Sequence, residues 1–275
     1  MPKPPLSKDT TLCISLAARP SNIGTRFHNY LYEQLGIDFL YKAFTTTDIV
    51  AAIGGVRALG IRGCSVSMPF KEDVIALVDT VESSALAINS VNTIVNDNGV
   101  LSASNTDYIA IEKLIDHYGL RPDDTVLIHG SGGMASAVGS AFRDKGFHQG
   151  TVVARNEIAG PALAERLGYH WRPHVGGAQA SIVVNVTPVG MAGGPGEHDS
   201  AFGAETIAHA ETVFDVVALP SETPLIRAAR AAGKQVITGA EVGVAPTSGT
   251  SSRNGRTRRM IIRAAPSPAD RRRCG

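Results

Sequence analysis

The chain has 275 residues, 43% hydrophobic and 19% charged, the balance of an ordinary globular protein long enough for two domains and a core that needs no staples. A formal net charge of +1 gives the whole molecule no electrostatic reason to seek nucleic acid or a membrane surface. Three widely spaced cysteines, Cys13, Cys64 and Cys274, support neither a disulfide framework nor a CxxC zinc site, and no metal is expected.

Cys13 and Cys64 lie in apolar runs and read as small buried hydrophobes. The opening MPKPPLSKDT lacks the apolar stretch of a signal peptide. No run reaches the roughly 18 apolar residues of a membrane span. The expected compartment is therefore the cytoplasm.

In chain order, residues 11–16 predict a short apolar strand, broken by polar residues 19–24. From Thr25 the spacing of Phe27, Leu31 and Leu35 is helical, and Gly36 is a good stop. Residues 39–44 predict a second strand. Thr47 and Asp48 can cap a helix running through Leu59, with Gly60 ending it. A third strand follows at 61–67, a short helix at 73–78, and a strand at 93–95 closed by an Asp97-Asn98-Gly99 turn. This alternation is the signature of a mostly parallel sheet.

After Asp107 a second alternation begins. Helices are expected at 108–118, 134–145, 161–167 and 224–232, and strands at 125–129, 151–154, 181–186, 211–217 and 235–238. No internal repeat is visible. The fold class is α/β, divided at residues 1–107 and 108–242, with an atypical tail at 243–275. The tail is rich in Arg from Arg253 onward and in Ser, Thr, Pro and Gly. Its one run of large apolar residues is the triplet Met260-Ile261-Ile262. Such a basic end can bind nucleic acid, but its composition predicts disorder, and nucleic acid is not the expected partner.

The strand Val126-Leu127-Ile128 runs into Gly130-Ser131-Gly132-Gly133-Met134-Ala135, a G-x-G-x-x-A pattern between a strand and a helix. Gly130 permits the tight turn, Gly132 lets the backbone approach a pyrophosphate, and Ala135 lets helix and strand pack closely. The helix N-terminus adds free N–H groups and a positive dipole end. The next strand ends in Ala154-Arg155-Asn156, where an NAD site usually has an acidic residue for the ribose. The Arg155 guanidinium suits a 2′-phosphate, favouring NADP. Glu157 lies close and keeps NAD open.

Four stretches place polar groups at expected strand ends: Ser65-Val66-Ser67-Met68-Pro69-Phe70-Lys71, Ser90-Val91-Asn92-Thr93, Ser104-Asn105-Thr106-Asp107 and Asn185-Val186-Thr187-Pro188-Val189-Gly190-Met191. A Lys and an Asp facing one cleft could exchange a proton with a hydroxyl. Singly, a lysine after a strand is usually solvated, and an Asp after Asn-Thr is usually a helix cap.

In this order the stretches resemble the shikimate dehydrogenase family, with its N-V-T-x-P-x-K, V-N-T, G-x-N-T-D, glycine turn and N-x-T-x-x-G-M. The likeness spans residues 11–242. It implies a substrate domain followed by a Rossmann domain that binds NADP. It implies a reversible hydride transfer between NADP(H) and an alicyclic ketone or alcohol such as 3-dehydroshikimate and shikimate, a step of aromatic amino acid biosynthesis. Lys71 and Asp107 would be the catalytic pair, Lys71 handling the hydroxyl proton and Asp107 orienting the substrate. Ser67, Asn92 and Asp107 would contact substrate hydroxyls. Gly130, Ser131, Gly132, Gly133, Met134, Arg155, Thr187 and Val216 would line the cofactor, with Gly239 near the nicotinamide. A small-molecule partner follows, and a homodimer stays open.

The departures point to a divergent branch. Asn22 and Gly24 take the places of the family's serine pair, so the carboxylate grip must weaken or be rebuilt from Ser21, Asn22 or Arg19. Ala218 stands where the family often has a tyrosine. The family's substrate-reaching glutamine would fall at Pro246, and the apolar final helix gives way to Arg, Ser and Pro, as a frameshift or an altered natural terminus would cause. Quinate stays within this class of substrate. The competing reading is a nucleotide-binding protein of weak catalysis.

Overall fold

The computed structural model describes residues 3–20 and 22–243, and these divide into two compact units that meet in sequence between Thr106 and Asp107. The expectation of disorder for the tail falls, from residue 244 on, outside the described residues, as do Cys274 and Pro246.

In the first unit, β1 (Thr11–Ala17) leads to α1 (Asn22–Leu35), then β2 (Phe39–Thr45) and α2 (Ile49–Ala58). Next come β3 (Gly63–Val66), a 3₁₀ turn (Asp73–Leu77), β4 (Thr80–Val81) and α3 (Ser83–Leu86). β5 (Thr93–Asp97) and β6 (Val100–Ser104) complete a six-stranded sheet in the order β2-β1-β3-β5-β6-β4. β1 pairs in parallel with β2 and β3, whereas β3-β5 and β5-β6 are antiparallel. The Asp97-Asn98-Gly99 turn is thus a hairpin, with Asn98 and Gly99 both at positive φ as such turns require.

Side chains alternate across these strands. Ile14, Leu16, Cys64, Val66, Ile94 and Ala103 pack with Ile49, Ile53 and Val56 of α2 into one core. Asp48 starts α2, its carboxylate accepting from the Ala51 N–H at 2.9 Å. Cys13, Tyr32, Phe39 and Tyr41 form a smaller cluster beneath α1. The helix begins three residues before Thr25, and among its described side chains the buried one is Tyr32. Phe27 and Leu35, which set the expected periodicity, are about half exposed. Asn29 ties α1 to β2: its side chain donates to the Tyr41 carbonyl at 2.8 Å and accepts from the Tyr41 N–H at 3.0 Å. Burial pushes the Cys64 thiol up to about 12, so it behaves as the inert hydrophobe expected.

α4 (Thr106–Tyr118) carries the chain onward. The second unit then runs β7 (Val126–His129), α5 (Gly133–Asp144), β8 (Gly150–Val153), α6 (Ala159–Leu167), β9 (His170–Arg172) and β10 (Ile182–Asn185). It ends with α7 (Ala204–His209), β11 (Thr212–Asp215), α8 (Pro224–Ala231), β12 (Gln235–Thr238) and α9 (Gly239–Gly243). Every pairing is parallel and the order is β12-β11-β10-β7-β8-β9. Numbered within the unit this is the 3-2-1-4-5-6 order of a doubly wound sheet, reversing between β7 and β10.

Strands covered on both faces must be apolar almost throughout. Leu127, Ile128, Val183, Val184, Val213 and Phe214 are all at or below 1% exposure. Each such side chain contributes about 1.5–3 kcal/mol on burial. β9, β6, β4, α3, α7 and α9 were not expected from sequence; each is short.

Candidate active site

The carboxyl ends of parallel strands at an order reversal are where open α/β sheets take ligands. β7 ends there at His129, and Gly130 turns the chain at φ +134°. A Cβ on Gly130 would stand 2.7 Å from Val186 Cγ2 and 3.1 Å from the Val186 carbonyl oxygen, so only glycine fits. Gly132 caps α5 without any side-chain hydrogen bond. No atom lies within 4 Å of a Cβ built on Gly132 or Gly133, and both are exposed. The first-turn N–H groups of a twelve-residue helix therefore have open space above them, which fits a pyrophosphate. Ser131 and Met134 are half-buried beside them, and Ala135 is fully buried against the sheet.

Beyond β8, Arg155 and Glu157 are both exposed. Between them the Asn156 carboxamide accepts from the N–H groups of Ile158 and Ala159 at 3.0 and 2.9 Å, fixing the turn into α6. His129 is pushed below its ordinary value by burial, partly offset by the Ala201 carbonyl at 3.2 Å, with the nearby Arg155 charge adding to the fall. A neutral imidazole next to the glycine turn follows.

On the other side of the reversal, Asn185 and Asp215 end β10 and β11, both wholly buried. Asn185 accepts from the Thr187 N–H and hydroxyl at 3.0 and 2.7 Å, so the Thr187 side chain is engaged in shaping the loop. It donates to the Val189 carbonyl at 3.1 Å and to Asp215 at 3.0 Å. Burial pushes the Asp215 carboxyl up, opposed by the Thr223 hydroxyl, the Val217 N–H and Asn185. Gly239 lies against the Val216 and Val217 carbonyls so closely that any Cβ there would collide with them. Asp215 and Thr223 were not singled out from sequence. The one signal was an acidic residue closing the apolar strand Thr212-Val213-Phe214.

In the first unit, backbone bonds gather the expected substrate residues. The Val66 N–H donates to the Asn92 carbonyl at 2.9 Å, and the Val91 N–H to the Lys71 carbonyl at 2.8 Å. Ser67 is exposed just past β3; Lys71 and Asn92 are half-buried. The Asn92 side-chain oxygen accepts from the Thr106 N–H at 2.9 Å and from the Thr106 and Thr93 hydroxyls at 3.1 and 3.0 Å. Asp107, half-buried, is the next residue, in the first turn of α4. Strand register adds a row of half-buried hydroxyls on one sheet face, Ser15, Ser65, Thr93 and Ser104, which sequence spacing alone did not reveal.

Asn22 opens α1 and is exposed, as is Arg19. A Cβ on Gly24 would reach the Tyr41 hydroxyl at 3.6 Å, ordinary contact, so the place of the second serine is vacant but not blocked. Ser21 lies outside the described residues. Among the described residues no group of three His, Cys, Asp or Glu could hold a metal ion, and no helix is long and apolar enough to cross a membrane.

A substrate-type α/β unit joined to a doubly wound unit with a glycine turn at its switch point defines a two-domain, Rossmann-type oxidoreductase architecture. The sequence model of the shikimate dehydrogenase substrate binding domain matches residues 22–94. A shikimate dehydrogenase-like protein of Haemophilus influenzae is 58% identical over 237 residues, 86% of this chain and 88% of that protein. A solved shikimate 5-dehydrogenase-like protein, also 58% identical, superposes with a TM-score of 0.84, covering 87% of this chain and 89% of that one. Shikimate 5-dehydrogenase of Thermus thermophilus, solved with NADP(H) and shikimate, is 28% identical with a TM-score of 0.72, covering 84% and 88% of the two chains. The chain belongs to the shikimate dehydrogenase family, in its divergent shikimate dehydrogenase-like branch.

Proposed function

We propose that the protein catalyses the NADP-dependent, reversible interconversion of 3-dehydroshikimate and shikimate, or of a closely related alicyclic hydroxy acid, in the cytoplasm. Residues 1–107 serve as the substrate domain and 108–242 as the NADP domain. The carrying observation is the uncapped α5 N-terminus behind the Gly130 turn, at the switch point of a parallel sheet. Bound there, NADP(H) would supply or take the hydride. The N–H groups from Gly132 to Met134 would hold its pyrophosphate, Arg155 would meet the 2′-phosphate, and Val216, Gly239 and the loop of Thr187 would flank the nicotinamide end.

The chain's own work is positioning and proton handling. The Lys71 ammonium gives a proton to the developing alkoxide on reduction, and its amine takes one from the hydroxyl on oxidation. Ser67, Asn92 and the Asp107 carboxylate hold the ring hydroxyls; Asn22, with Ser21, meets the carboxylate.

Gly24, which lacks a hydroxyl where the family has one, favours a second reading, a nucleotide-binding protein that turns shikimate over weakly. Initial rates with NADP(H) and NAD(H) against shikimate, dehydroshikimate and quinate decide between them. Turnover of one of these with preference for NADP(H) is expected. NADPH binding without turnover of any would leave the second reading, and preference for NAD(H) would overturn the role of Arg155.

A further inference from the structure

We propose that Asp215 is a positioning residue that holds the Val216–Ala218 segment as a fixed ledge for the nicotinamide end of the dinucleotide. The inference rests on the dinucleotide reading above and adds a residue that the proton chemistry does not use. Asp215 is wholly buried, where a carboxylate is costly unless its oxygens are satisfied. One oxygen accepts from the Thr223 hydroxyl at 2.6 Å; the other accepts from the Val217 N–H at 3.0 Å and from the Asn185 side chain at 3.0 Å. These donors come from three places: the end of β10, the turn after β11 and the N-cap of α8.

All three donors are neutral, so the group is no salt-bridge staple. Buried charge of this kind is a poor source of stability compared with apolar packing. What it does is geometric. It fixes Val217 from one side while Gly239, at the start of α9, abuts the Val216 and Val217 carbonyls from the other. Through Asn185 the same carboxylate is linked to Thr187 and Val189 in the neighbouring loop. The clamped segment lies at the carboxyl edge of the sheet, where a dinucleotide extends away from the glycine turn.

Titrations of NADPH and, separately, of adenosine 2′,5′-bisphosphate, the half of the cofactor without nicotinamide, test this. In Asp215→Asn the bisphosphate should bind within about twofold of wild type. NADPH should weaken about tenfold, the order of loss when a residue out of contact with the ligand stops holding its site in place. Thr223→Val should follow Asp215→Asn, and Thr223→Ser, which keeps the hydroxyl, should bind NADPH as wild type does; this pair carries the test if Asp215→Asn does not fold. Equal losses for both ligands, or none for NADPH, would overturn the positioning role. A wild-type protein that binds neither ligand would refute the dinucleotide reading, and this inference with it.

Discussion

At the scale of single residues, the roles proposed for Lys71 and Arg155 separate the chemistry from the cofactor grip. Lys71 belongs to the first unit, bonded through its carbonyl to Val91 and remote in sequence from the glycine turn. Lys71→Ala is expected to lower turnover by on the order of 10²–10⁴-fold and to leave NADP affinity unchanged, as steady-state rates and a cofactor titration would show. Wild-type rates in that variant would remove it from catalysis. Arg155 is exposed, so solvent would temper a charge-assisted contact to the 2′-phosphate. Arg155→Ala should weaken NADPH by about tenfold and NADH hardly at all. Equal losses for both would mean that the guanidinium does not read the 2′-phosphate.

At the scale of elements, α2 offers a clean case of local coding. Asp48 sits in extended conformation before the helix and bonds the Ala51 N–H. Asp48→Ala should cost about 1 kcal/mol, seen as a lower thermal midpoint at unchanged cofactor affinity. Such features were legible because a cap or a glycine turn is a statement about a few neighbouring residues. The Gly130–Met134 turn and the cap at Asp48 could be read in this way. Partnerships across the fold could not. Asp215 meets Asn185 across thirty positions, and nothing local to Thr212-Val213-Phe214 announces a buried carboxylate with three donors. The hydroxyl row depends on the register of four strands, two of them in a hairpin, and no one strand's sequence states which residues will stand opposite its own. In α1 the periodic Phe27 and Leu35 misled, because packing against β2 selected Tyr32 and Asn29 instead.

At the scale of the whole molecule, two half-buried imidazoles set a pH dependence. His28, stacked on Tyr41 at 4.3 Å, and His129 are both pushed below 6.5 by burial. The unfolded chain therefore takes up protons near that pH while the folded one resists, and stability falls as pH drops through about 6.5. Asp215, raised by burial, titrates in the opposite sense, gaining stability as pH falls toward the carboxylate range. Thermal melts at about pH 7.5 and 6 should show the loss, and His28→Gln or His129→Gln should flatten it; a midpoint unchanged between those pH values would contradict the histidine effect. A different consequence follows from Asn29. Among the described residues β2 pairs with β1 alone, and the unpaired margin of a strand is a template on which other chains can assemble. By occupying both the N–H and the carbonyl of Tyr41, the Asn29 carboxamide imitates one residue of an adjoining strand and denies that place to another molecule. Asn29→Ala should accordingly raise light scattering in concentrated solution before it lowers the thermal midpoint, so that this side chain governs how crowded the protein can become as well as how it folds.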